Sequence, residues 1–92
     1  MELKANTKQM KEYGEEMLKI SDLVNEQIDL LYSKIEHLVV DGVWQGISAN
    51  KYYQKVMPDK NELLEFNKEF RKYGENLIKC SEQLEAIAKS YR

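Results

Sequence analysis

Glycine and proline are scarce, with four Gly and one Pro in 92 residues. Strands at regular spacing need more turn residues than that, so an all-β architecture is excluded. One cysteine, Cys80, leaves no internal disulfide to form. The single histidine, His37, has no second histidine or cysteine at ligand spacing, so no metal site is expected. For the same reason no Ser-His-acid relay can be assembled. A glycine-rich phosphate loop is absent too. Neither an enzyme, nor a cofactor, nor a small-molecule substrate is expected. The net charge is −2, and lysines alternate with glutamates without a basic stripe, which argues against nucleic acid. No apolar run approaches the ~20 residues of a spanning helix. The opening Met1-Glu2-Leu3-Lys4-Ala5-Asn6 lacks the basic stretch and apolar core of a secretory signal.

What is present favours helix. The chain is 42% hydrophobic and 33% charged, rich in Glu, Lys, Leu, Met and Gln. Its centre is Asp41-Gly42-Val43-Trp44-Gln45-Gly46, which holds the only tryptophan and two of the glycines. The expected domain is single, 1–92. A first helix runs over about 5–40, a turn over 41–46, and a second helix over about 47–91. Asn6 or Thr7 caps the start, and Gly42 takes the left-handed conformation that ends the first helix. Pro58 removes a donor and predicts a kink or break near 57–59. Asp59-Lys60-Asn61-Glu62 then restarts the helix as a capping box.

Apolar residues recur at threes and fours on both sides of the turn. Met10, Tyr13, Met17, Val24 and Leu31 mark one stripe; Leu63, Phe66, Phe70, Tyr73 and Leu77 mark the other. Folding the chain at Val43–Trp44 opposes the two stripes as the core of an antiparallel hairpin. In that register Leu3 meets Leu84, Met10 meets Leu77 and Met17 meets Phe70. Two similar stretches, Glu12-Tyr13-Gly14-Glu15 and Lys72-Tyr73-Gly74-Glu75, place each tyrosine level with the facing glycine. Cys80 continues the second stripe, where it acts as a small buried hydrophobe, and Tyr91 ends it. Leu18, Leu23, Leu30, Leu64 and Ile78 lie off the seam. A lone hairpin leaves them uncovered, so they are expected to pack on a partner hairpin in a four-helix-bundle dimer.

Trp44, Gln45 and Gly46, set between two long helices, resemble the WXG family. These are the small early-secreted-antigen-like proteins of bacterial type VII (ESX-like) secretion. Ala49 and Tyr52-Tyr53 after the turn, and the length near one hundred residues, agree with the resemblance. It implies a helical hairpin that pairs head to tail with itself or with a related hairpin. It also implies export by a membrane ATPase without a cleaved signal, from the cytoplasm to the outside. Trp44 and Gly46 would then serve export or partner recognition. The family's Tyr-x-x-x-Asp/Glu export pattern has no counterpart after the second helix, where the sequence ends at Tyr91-Arg92. Tyr32 and Glu36 match by spacing but read as an ordinary helical surface pair. The partner is expected to carry that signal, or further chain supplies it, or the protein acts inside the cell. Low-G+C Gram-positive bacteria carry such relatives, including partners of larger toxins. The alternative reading is therefore an intracellular adaptor that binds the helical N-terminal domain of a type VII toxin.

Overall fold

The computed structural model describes residues 5–90. Its elements are α1 (Thr7–Val40), α2 (Ile47–Val56) and α3 (Asp59–Ser90), and no strand occurs among the described residues. The protein is all-α. No described helix is long and apolar enough to cross a membrane.

Local chemistry accounts for the boundaries. Asn6 Oδ1 accepts the Gln9 backbone N–H at 3.0 Å, which caps α1. At the other end Gly42, with φ +76°, donates its N–H to Val39 O at 3.3 Å. The Leu38 carbonyl is taken by the Trp44 N–H at 2.8 Å. Carbonyls that a helix end leaves without partners are thereby bonded, and Trp44 is fixed close to the end of α1. Gly46 is the N-cap of α2 with φ +106°, a conformation that L side chains rarely adopt. The break between α2 and α3 is two residues, Met57-Pro58. Lys60 N–H bonds Met57 O across it at 3.2 Å. Asp59 and Glu62 occupy the first turn of α3, where negative charge suits the helix dipole.

Contacts divide the chain into two compact units. The first comprises Met1–Asp22 and Lys68–Arg92, and the second Leu23–Asn67. In the first unit α1 and α3 run antiparallel. Thr7 Oγ1 donates to Glu85 Oε1 at 3.1 Å, Lys11 lies 3.9 Å from Glu82, and Arg71 lies 2.6 Å from Asp22. Between these pairs the backbones converge on Gly14 and Gly74. A β-carbon on Gly14 would stand 2.9 Å from Gly74 O and 2.5 Å from Ile78 Cγ1. One on Gly74 would stand 3.1 Å from Gly14 O and 3.2 Å from Leu18 Cδ2. The helices pack this closely because neither residue has a side chain. Ser21 and Ser81, each seven residues beyond a glycine, are buried as well. Ser81 Oγ donates to Ile78 O at 2.6 Å.

In the second unit the core is Ile28, Tyr32 and Ile35, with Val56, Met57 and Leu64 packed against it. Ala49 on α2 is fully buried, and Lys60 pairs with Asp29 at 3.5 Å. Burial pushes the Tyr32 phenol above its ordinary range, and the charges of Asp59 and Tyr52 push it the same way.

These contacts correct the seam expected from the apolar pattern. Gly14 faces Gly74 and Ile78, not Tyr73, and Gly74 faces Met17, Leu18 and Gly14, not Tyr13. Both tyrosines are exposed, as are Val24, Leu31, Leu63 and Phe66, so none of the six belongs to the core of the single chain. Met10, Met17, Phe70 and Leu77 are half-buried at its margin. Cys80 is exposed, not buried. In the first unit large side chains cannot lie between helices that touch at glycine, so the stripe there turns outward. Leu3 and Tyr91 lie outside the described residues.

Candidate functional site

Gly14 and Gly74 define a seven-residue frame. Counting each as position a, Met10 and Met17 fall at d, and Tyr13 and Ile20 at g. On α3, Phe70 and Leu77 fall at d, and Tyr73 and Cys80 at g. At about 100° per residue, d and g lie on one flank of a, while e and b lie on the other. In an antiparallel pair the two d/g flanks fall on the same side.

The first unit therefore has two unlike sides. On the e/b side run the ion pairs Lys11–Glu82, Arg71–Asp22 and Arg71–Glu75. Leu18 and Ile78, at e, are half-buried there against the facing glycines. On the d/g side no charged residue occurs at a d or g position between 5 and 22 or between 68 and 90. Tyr13, Ile20, Tyr73 and Ile87 are exposed there, Tyr73 to 65%. Of the five residues expected to meet a partner, Leu18, Leu64 and Ile78 instead lie half-buried within the chain, and Leu23 and Leu30 are exposed. The residues expected to form the core now make up most of the open face.

Within the second unit the same frame puts Val24, Leu31 and Leu63 at d and Phe66 at g. All four are exposed, Phe66 to 74%. The turn adds Val43 and Ile47, at 75% and 77%. Trp44 is half-buried. Its ring stacks at a tilt of 47° on Tyr52, with centroids 5.3 Å apart. The tryptophan is thus held by a backbone hydrogen bond on one side and an aromatic ring on the other. Nothing lies within 4 Å of the β-carbon position of Gly46, so its requirement is conformational, not steric.

His37 Nδ1 lies 2.7 Å from Asp41 Oδ2, one helical turn away at the end of α1. Among the described residues no three His, Cys, Asp or Glu side chains are grouped to hold a metal. The first unit offers an apolar face without charge at its d and g positions, and the second unit a tryptophan turn with exposed aliphatic neighbours.

A second signal in the sequence bears on this face. Residues 8–22 and 68–82 are related at a constant offset of 60. Lys8, Tyr13, Gly14, Glu15, Lys19 and Ser21 recur as Lys68, Tyr73, Gly74, Glu75, Lys79 and Ser81. The apolar pattern singles out only the Tyr-Gly-Glu part of this repeat. Aligning the two helices over their full length reveals the rest.

Comparison with models of known protein families, with curated proteins and with solved structures finds no match.

Proposed function

We propose that this protein is a small helical hairpin of the WXG type, exported as a substrate or co-secreted partner of a type VII (ESX-like) system. It acts by laying its open apolar face against a second helical hairpin in a four-helix bundle. The observation that carries this reading is the uncharged d/g face of the first unit; the Trp44-x-Gly46 turn at mid-chain of the sequence supports it. The magnitude supports it too. Fully burying one side chain of the Phe or Leu class contributes about 1.5–3 kcal/mol. Phe66, Leu31 and Leu63 are 74%, 51% and 42% exposed, so covering all three contributes about 2.5–5 kcal/mol, close to the lower end of a small domain's stability.

Trp44 and Gly46 carry recognition in this reading, with the membrane ATPase of the system and the partner hairpin as the bodies they meet. The structural role of Trp44, stacking on Tyr52, is compatible with it. Export is tested in strains with and without the ATPase, by detecting the protein in the culture medium. The expected result is protein in the medium only when the ATPase is present. Retention in both strains would remove the secretion reading. A Trp44→Ala chain that folds normally but stays inside would assign the tryptophan to recognition. The runner-up, an intracellular adaptor for a toxin's N-terminal helical domain, rests on the same apolar face. It predicts retention of this chain together with ATPase-dependent export of the toxin.

A further inference from the structure

The open face of the first unit has an edge as well as a floor. Position c lies next to g on the helical wheel, at the outer margin of the d/g strip. In this unit the c positions of α1 are Gln9 and Glu16, and those of α3 are Glu69, Asn76, Gln83 and Ser90. Each is an acid, an amide or a hydroxyl, and none is a cation. Every lysine and arginine among the unit's described residues falls at b, e or f, away from the face. Lys11 and Arg71 are engaged there with Glu82 and Asp22. Both edge acids are exposed. Glu69 meets Lys72 of its own helix at 3.2 Å, in a pair exposed on both sides and of little worth. The second unit, taken by itself, carries acids on α3 in the same way. Asp59 at g and Glu62 at c stand beside the exposed Leu63 and Phe66. Lys34, at g of α1 in that unit, is the one lysine or arginine at a c, d or g position of α1 or α3 among the described residues.

We infer that the open face of the first unit, if it pairs with helices as proposed above, selects a helical partner whose own apolar stripe is edged with lysine or arginine, and that a second copy of this chain is the poorer fit. An apolar strip drives association but discriminates weakly between apolar surfaces of like shape. Discrimination comes from the charges that flank the strip, as e and g charges choose partners in coiled coils. Here those flanking charges are carboxylates only. A partner with cations along its edges meets Glu16 and Glu69 with opposite charge. A second copy brings the same acids and amides to whichever edge it is laid against, so neither orientation supplies a cation. The cations that hold the net charge of the chain at −2 lie behind the face, out of reach of what covers it.

Two synthetic amphipathic helices, added to the full chain, test this. Both carry the same leucine stripe over about four heptads; one has lysine at the flanking positions and the other glutamate. Binding is read at low salt by fluorescence anisotropy of the labelled helix. The lysine-edged helix should bind about 10-fold more tightly, and the gap should close in about 0.5 M salt. Changing Glu16→Lys and Glu69→Lys together should reverse the preference. Changing Glu12→Lys and Glu15→Lys together alters the net charge equally, but at f and b, and should leave the direction of the preference as it was. All four side chains are exposed, so circular dichroism should be unchanged in both variants. Equal binding of the two helices by the wild type overturns the inference and leaves the pairing of the face with helices standing. So does a preference that survives the change at Glu16 and Glu69, or one that the change at Glu12 and Glu15 also reverses. A chain that binds neither helix removes the pairing itself, and the inference with it.

Discussion

Gly14 and Gly74 stand opposite each other with no room for a single added carbon on either. A β-carbon on Gly14 would sit 2.5 Å from Ile78 Cγ1 and 2.9 Å from the Gly74 carbonyl oxygen. The carbonyl belongs to a helix backbone and cannot step aside. This contact decides which side of each helix faces inward, and so which apolar residues remain outside.

Gly14→Ala should therefore destabilise the fold even though alanine is the better helix former. Alanine gains about 1 kcal/mol in propensity, while overpacking costs about 1–3 kcal/mol. A net loss of up to about 2 kcal/mol lowers the melting temperature at roughly 4–8 °C per kcal/mol in a chain of this size. Gly74→Ala should be milder, since its nearest contact is 3.0 Å, to Met17 Cβ. Thermal unfolding followed at 222 nm checks both.

Gly46→Ala should also destabilise, for a different reason. The space around it is open, but φ is +106°. The strain for an L residue is about 1–3 kcal/mol. D-alanine installed at 46 by semisynthesis should restore most of the loss, which separates conformational from steric cost. Denaturant midpoints of the three proteins supply the comparison.

Tyr32 predicts an alkaline weakness. Burial, then the charges of Asp59 and Tyr52, raise its phenol above the unfolded value near 10. The folded protein thus holds this proton more tightly than the unfolded chain does. Its contribution to stability is full below about pH 10 and is lost as pH rises through the folded value. Urea midpoints measured from pH 8 to 11 should fall more steeply in the wild type than in Tyr32→Phe.

The helical class was legible because apolar residues recur at threes and fours over long stretches with one proline and a glycine-bearing turn. Asn6 as a cap and Gly42 as a helix end were legible from their side chains. The inward face was not. Periodicity marks a wide apolar stripe, but it does not say which edge of that stripe meets the rest of the chain. Tyr13, Phe66 and Tyr73 carry a strong apolar signal and lie outside. Gly14, Ser21, Gly74 and Ser81 carry almost none and lie inside. Their seven-residue spacing, together with the repeat at offset 60, is the signal that identifies the packed side. The role of Trp44 is less legible still, since the same ring stacks on Tyr52 and stands beside exposed Val43 and Ile47.

The central claim, that helices of a partner cover the open face, is tested most directly at Cys80. This lone thiol is exposed in the single chain and shares the g positions with Tyr73. The measurement is its rate of modification by a thiol reagent, in protein isolated under native conditions from its producing cells. The Tyr73→Glu variant is measured beside it. The account predicts slow modification in the wild type and fast modification in the variant, with equal rates once both are unfolded. Equally fast modification of the two native proteins would contradict it.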